Sequence, residues 1–333
     1  MSPKTDPSPK RAVRRALALV VLAALTLWAI RALVQADAAF IPWQSLFLPL
    51  LANVAFLVFA AWRMQVLSTA PLRFVTCIKS IALVSALLIA FPSRLSDLIK
   101  PVYLLERDKL PMARGFSVLF LERALDVVMV AGLLGIIALG LDGATGQNFA
   151  STARRLIAIC AVLGGGLAAL MFVPDLMRKL ITWVPFAALR AFAQQVFEAL
   201  HEAGKSGRLW GGTLLSVVVW LSAYLIFYFY LSALSTSQGD VDITAMAALV
   251  VFAAGTLGLI VTVTPGGVGT YEFAIALALS NYGVPMAEGL VHGLALRIIV
   301  LLPNLVVVAQ MLLFDRFNIK ELRASVSASG SAP

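Results

Sequence analysis

Charge is what this sequence has least of. Only 13% of its 333 residues are Asp, Glu, Lys or Arg, while 61% are hydrophobic; soluble domains carry about 25% charged residues. That shortage excludes an ordinary soluble fold, and several apolar runs approach the roughly 20 residues needed to cross a bilayer. Cysteine and histidine are scarce too. Cys77 and Cys160 both sit inside hydrophobic segments, and His201 and His292 lie far apart. No spacing among them suggests a disulfide framework or a metal site, and no cofactor is expected. The sequence also lacks a Ser/His/Asp set, a zinc motif and a phosphate-binding glycine loop.

What remains is a polytopic all-α membrane protein. Its formal charge of +9 would suggest nucleic acid as a partner in a soluble protein. Here the basic residues cluster at the ends of apolar runs, where they act as topology signals and anionic-lipid contacts. No nucleic-acid partner is expected.

Residues 1–15 form a basic N-terminus containing Lys10-Arg11-Ala12-Val13-Arg14-Arg15. The apolar run 16–34 that follows exceeds a usual signal-peptide core and reads as an uncleaved first span. Further apolar segments cover about 46–62, 74–91, 119–141, 156–174, 213–234, 246–264 and 289–314. Residues 175–212 form a polar linker in which Phe186, Leu189, Phe192, Phe197 and Leu200 outline an amphipathic interfacial helix. The tail 316–333 is polar and expected to be disordered. Everything between, 16–315, is expected to form one transmembrane domain.

Two stretches of the chain are alike. Pro111-Met112-Ala113-Arg114-Gly115 leads to Arg123, and Pro285-Met286-Ala287-Glu288-Gly289 leads to Arg297, with the arginine twelve residues after the proline in both. Each copy follows a proline-led break, at Pro92 and at Pro265. Repeats built around broken hydrophobic segments mark transporter-like folds. Repeat 1 covers about 74–141 and repeat 2 about 246–314.

Charge placement then sets the topology. The N-terminus, the 63–73 loop, the 175–212 linker and the tail are basic and belong on the cytoplasmic side. If every apolar run crossed, the basic stretch from Arg107 to Arg114 would be stranded outside. The conflict disappears if 74–106 is a re-entrant hairpin from the cytoplasm, turning near Pro92, and 246–284 a matching hairpin from outside. The expectation is six full spans, two re-entrant hairpins in an inverted repeat, and both termini inside.

Candidate site residues follow from charge inside apolar surroundings. Arg94, Asp97 and Lys100 recur every third residue and form one stripe. Glu122 and Asp126 share a helical face, with Arg123 in reach of Asp126. Each charge left in lipid would cost roughly 2.5–3.5 kcal/mol on insertion scales, so these should face protein or a wet cavity. An anionic headgroup is a partner that Arg94, Lys100, Arg123 and Arg297 could share. Mutual pairing that only fastens helices is the alternative. Glu106 to Lys109 reads as a solvated turn at the membrane surface.

Pro265-Gly266-Gly267-Val268-Gly269 ahead of Glu272 cannot be ordinary helix. It frees backbone amides at a helix start, which suits an anion, and Glu272 lies in the first turn, where the helix dipole favours its charge. This is read as a gate or headgroup seat, against the alternative of a tight helix crossing. His292 is expected to line the bundle, the aromatic run Tyr224 to Tyr230 to pack or anchor at an interface, and Gly164-Gly165-Gly166 to allow close helix packing.

In these residues the chain resembles the family named for the transmembrane region of lysylphosphatidylglycerol synthases, the flippase-like membrane proteins. The resembling pattern runs through Pro92, Arg94, Asp97, Lys100, Glu122-Arg123 and Asp126. It continues through Pro265-Gly266-Gly267, Gly269 and Glu272 to Arg297, and covers roughly 15–315. Ser96-Asp97 stands where the family tends to have Gly-Glu, and Lys100 where it tends to have Arg, which removes bidentate geometry there.

The resemblance implies handling of a membrane lipid or lipid-linked molecule. It predicts a translocase of the bacterial inner membrane without ATP hydrolysis of its own, and leaves the lipid open. In the namesake enzymes a separate soluble domain transfers the amino acid. About 18 residues follow the last span here, too few for such a domain, so aminoacyl transfer by this chain alone is not expected. A second reading is a non-transporting scaffold for a lipid-modifying enzyme. A third, ranked last, is an intramembrane transferase using Glu122 or Glu272 as base.

Overall fold

The computed structural model describes residues 46–88, 95–140, 181–238, 243–260 and 267–314, with residues 158, 162, 175 and 179 besides. The expected spans 16–34 and 156–174, the triple glycine, Pro92, Arg94, Pro265, Gly266 and the tail lie outside these stretches, apart from two single positions of the 156–174 segment.

Every described element is helical. In chain order they are α1 (Phe47–Leu67), α2 (Phe74–Leu87), a 3-10 turn (Leu95–Leu98), α3 (Ile99–Asp108), α4 (Met112–Gly140), α5 (Ala187–Lys205), α6 (Arg208–Gln238), α7 (Ala245–Ile260), α8 (Thr270–Ser280) and α9 (Met286–Phe314). Four of these contain stretches long and apolar enough to cross a membrane: Phe47–Leu67, Met112–Gly140, Arg208–Leu234 and Met286–Leu313. Three start before their apolar runs, at 112 rather than 119, 208 rather than 213, and 286 rather than 289. The residues gained include Arg114, Arg208 and Glu288, whose straight side chains favour helix. Hydropathy finds the apolar stretch, not the helix end.

α2, α3, α7 and α8 have 14, 10, 16 and 11 residues. At 1.5 Å per residue they reach only about 15–24 Å, short of the roughly 30 Å hydrocarbon core. α5 occupies the linker as an amphipathic helix, with Trp183 and Phe186 before it and Leu189 within it exposed.

In both repeat stretches short helices precede a long one: α2, the 3-10 turn and α3 come before α4, and α7 and α8 before α9. The turns after α3 and α8 each hold a left-handed residue, Lys109 (φ 56) and Gly283 (φ 86), two positions before the shared proline. The shared glycines then lie against the short helices. A Cβ at Gly115 would stand 2.9 Å from Pro101 Cα, and one at Gly289 would stand 2.8 Å from Ala276 Cα. No side chain fits at either contact.

α1 lies along α6, and α9 packs on α8, α2 and α1. One apolar core gathers α6, α7, α8 and α9 around Tyr230, Leu231, Val251 and Ile275; another gathers α1, α2 and α4 around Ala61, Met64, Cys77 and Leu121. The aromatic run of α6 packs as expected, with Phe227 edge-on to Phe252 at 5.2 Å. His292 is fully buried and shares a 2.9 Å hydrogen bond with the Tyr230 hydroxyl.

Candidate functional site

Helix periodicity places Glu122, Arg123 and Asp126 on adjoining faces of α4, and the elements packed on α4 supply their partners. The 3-10 turn contributes Asp97, whose Oδ1 accepts from Arg123 Nη2 at 2.9 Å. α3 contributes Lys100, whose Nζ donates to Glu122 Oε2 at 2.8 Å. Within α4, Arg123 Nη1 donates to Asp126 Oδ2 at 2.9 Å.

Arg63 of α1 closes the set. Its Nη1 lies 2.8 Å from Asp126 Oδ1, and its Nη2 lies 3.8 Å from Glu122 Oε1. Ser216 and Trp220 of α6 complete the surroundings; Arg63 Nη1 is 3.3 Å from Ser216 Oγ, and Trp220 Nε1 donates to Asp126 Oδ1 at 3.2 Å. The result is one chain of alternating sign: Lys100, Glu122, Arg63, Asp126, Arg123, Asp97. Charges this deep are tolerable only with partners of opposite sign. Of the six, Arg123 is the most accessible, with 36% of its side chain exposed.

Sequence reasoning missed Arg63, which it left at the start of a basic loop. The helix instead continues to Leu67 and turns this arginine into the bundle, where it is 6% exposed. The signal was present. Leu57, Ala60, Ala61, Met64 and Leu67 keep helical spacing straight across Arg63. Trp220 carried no comparable signal.

The second half holds a parallel arrangement. Gly267 (φ 66) and Gly269 (φ 90) adopt the left-handed backbone that glycine favours, and α8 starts directly after them. The amide of Gly269 donates to Glu272 Oε2 at 2.8 Å, the half of a capping box in which the N3 carboxylate reaches back to the N-cap amide. Glu272 therefore takes an amide that the sequence offered to a ligand anion. Arg297 of α9 grips the same carboxylate, Nε to Oε1 and Nη2 to Oε2 at 3.1 Å. Its Nη2 also donates to the Gly267 carbonyl at 2.8 Å, and its guanidinium lies 4.7 Å from the Tyr271 ring centre. A bidentate arginine with a stacked face is not replaceable by lysine.

The candidate residues thus fall into two sets. Asp97, Lys100, Glu122, Arg123 and Asp126 form the first; Gly267, Gly269, Glu272 and Arg297 form the second. In each, the arginine twelve residues after the shared proline holds a carboxylate near the start of the preceding short helix. The expected solvated turn differs. The side chain of the half-buried Asp108 is 4% exposed and holds the start of α2, accepting from the Arg73 amide at 2.9 Å, Arg73 Nε at 2.6 Å and the Thr76 hydroxyl at 3.1 Å. The first turn of α2 leaves amides that a carboxylate can satisfy. No cluster of three metal-ligating side chains occurs among the described residues.

The family model described as the lysylphosphatidylglycerol synthase TM region matches residues 15–327. The chain belongs to this family. With the four long apolar helices, the lysylphosphatidylglycerol synthase TM region of this chain is a multi-pass membrane domain. The chain is 24% identical over 231 residues to glycosyltransferase AglD of Haloferax volcanii, a match covering 58% of this chain and 35% of that protein. It is 25% identical over 203 residues to the phosphatidylglycerol lysyltransferase of Staphylococcus aureus, covering 56% of this chain and 23% of that one. For the Staphylococcus haemolyticus lysyltransferase the identity is 23% over 205 residues, covering 56% and 24%. The matches therefore span between 23% and 35% of these relatives' own length. No solved structure matches the chain.

Proposed function

We propose that this chain is a flippase-like translocase that moves a lipid or lipid-linked intermediate between leaflets of the bacterial inner membrane. The observation that carries the reading is the matched pair of arginine–carboxylate locks, Arg123 with Asp97 and Arg297 with Glu272. Each joins a long apolar helix to a short broken one. Short helices of this kind suit re-entrant hairpins, and a repeat with opposite orientations is the architecture transporters use for alternating access. The relatives, two of them phosphatidylglycerol lysyltransferases by name, support a lipid as the thing handled.

In this mechanism an anionic headgroup competes with carboxylates for arginine. Lys100, Arg123 and Arg297 each hold a carboxylate already, so binding exchanges one anion for another rather than filling an open charge. Arg123, the most accessible cation of its set, meets the headgroup first. Release of Glu272 from Arg297 frees the start of α8, and the hairpin opens. Arg94, Pro265 and Gly266, which lie outside the described residues, are proposed as headgroup-binding residues from the sequence alone. The cytoplasmic termini, the single transmembrane domain and the absence of catalysis by this chain form part of the same reading.

Transport of a fluorescent phospholipid in reconstituted vesicles tests it, with bilayer-impermeant quencher added outside. Arg297→Ala should abolish the protected-to-quenched exchange while the purified protein stays monodisperse. Wild-type exchange in that variant sinks the assignment.

One observation favours the scaffold alternative, in which the charges only fasten helices. The six charges of the first set satisfy one another without a ligand. On that reading Arg123→Gln lowers stability and leaves a lipid-modifying partner enzyme bound on purification.

A further inference from the structure

A second basic cluster lies away from both locks. A cavity of about 380 Å3 opens between the start of α2 and the end of α3, lined by Arg73, Phe74, Val75, Thr76, Lys79, Tyr103 and Arg107. All of its charged lining groups are cationic, and its size falls at the small end of ligand pockets, roughly 300–1,000 Å3.

Two of the cations are held in place by neighbours. Arg73 is anchored through its amide and Nε to Asp108, and its Nη2 donates to the Arg107 carbonyl at 2.7 Å. That leaves Nη1 for another acceptor, on a side chain 69% exposed. Arg107 lies with its guanidinium 5.8 Å from the ring centre of Tyr103, which is itself buried. Lys79 stands one helical turn beyond Val75 on α2. Of the three cations lining the cavity, Arg73 is the one that Asp108 holds.

We infer that this cavity is a seat for the phosphate group of an anionic membrane lipid, distinct from the Arg123 and Arg297 locks. Two pre-positioned guanidiniums and an ammonium supply the charge-assisted donors a phosphate oxygen takes. The apolar walls, Phe74 and the exposed Val75, continue into the hydrophobic α2, along which acyl chains can lie. A soluble phosphate would use the polar half of the cavity and leave that apolar run uncovered. The lipid source rests on the proposed translocase reading; the phosphate chemistry of the pocket does not.

Binding is measured on the full-length, detergent-purified protein by thermal shift and by native mass spectrometry. The probes are phosphatidylglycerol micelles, phosphatidylcholine micelles and inorganic phosphate. The double variant Lys79→Gln/Arg107→Gln is compared with wild type; Arg73 is left alone because it anchors Asp108. Phosphatidylglycerol should bind wild type, and the variant should bind it about tenfold or more weakly, as expected for lost charge-assisted bonds. Equal binding to both proteins, or no binding to wild type, overturns the site. Inorganic phosphate binding that the variant loses keeps the site and overturns the lipid source. If the variant unfolds, Arg107→Lys replaces it, which keeps the charge and loses the fork; undiminished phosphatidylglycerol binding to wild type under competition from inorganic phosphate, with no loss in Arg107→Lys, also overturns the site. Wild-type exchange in the Arg297→Ala transport experiment would sink the translocase reading and leave this binding untouched, so the two readings fail separately.

Discussion

Asn53 supplies to α9 the hydrogen bond that Pro303 withholds. Proline has no amide hydrogen, so Pro303, inside α9, leaves the carbonyl four residues back without its helical donor. That carbonyl belongs to Ile299, and the fully buried Asn53 of α1 donates Nδ2 to it at 2.7 Å and to Val300 at 3.0 Å. A proline break in one helix is thus stitched to another.

Removal of the stitch should be costly only while the proline remains. Asn53→Ala should destabilise the protein by about 1–3 kcal/mol, the cost of the Ile299 carbonyl left unsatisfied; Val300 keeps the Asn304 side chain as a donor. Adding Pro303→Ala restores the missing amide and should recover much of that loss. Thermal unfolding of the two single variants and the double closes the cycle; strict additivity would contradict the pairing.

Glu122 has two cations to satisfy. Glu122→Gln should destabilise by about 3–5 kcal/mol, because Lys100 and Arg63 then lose a buried counter-charge. Lys100→Met in the same protein removes the ammonium that Glu122→Gln strands, and should recover part of the loss. Yield and melting temperature in detergent read this out; a double variant worse than the sum of the singles would refute the pairing.

The Arg297–Glu272 lock predicts an asymmetric charge swap. Arg297→Glu or Glu272→Arg alone places like charges together and should prevent stable folding. The double swap restores attraction but puts arginine in the first turn of α8, where the helix dipole disfavours it by about 0.3–1 kcal/mol. Yield should recover in part and not in full.

Both repeat contacts exclude a methyl group. Gly115→Ala and Gly289→Ala should each cost about 1–3 kcal/mol, since the added carbon meets backbone and not a movable side-chain end. Matching losses in melting temperature are expected; a neutral result at either position would deny its close approach.

The inverted orientation is tested at two exposed turn positions, Lys109 and Asn281. With Cys77 and Cys160 replaced by serine, single cysteines at 109 and at 281 should label with impermeant maleimide from opposite sides of right-side-out vesicles. Labelling from one side would remove the inverted repeat.

Much of this arrangement was legible in the residues. The proline-to-arginine spacing pointed to the two paired contacts, because a helix of fixed rise carries Arg123 and Arg297 equally far from their prolines. The spacing of Glu122, Arg123 and Asp126 exposed the contacts within α4. Partners across the bundle were less visible. Asn53 and Trp220 meet their acceptors through the packing of distant helices, which no periodicity within one helix encodes. Arg63 was hidden by its position at the end of an apolar run, although the apolar pattern continued past it. Asp108 looked solvated because its partner Arg73 lies 35 residues away, at the start of another helix.

The alternating chain of Lys100, Glu122, Arg63, Asp126, Arg123 and Asp97 carries a consequence for energy coupling. Three cations and three carboxylates sum to zero, and the Arg297–Glu272 pair does the same. Displacing one net charge through a membrane voltage of 100 mV is worth about 2.3 kcal/mol; displacing a balanced set is worth nothing. Movements that keep these locks closed are therefore blind to the transmembrane voltage. On the translocase reading, these two sets become sensitive to voltage through the charge of the cargo, or through a proton that unbalances one lock.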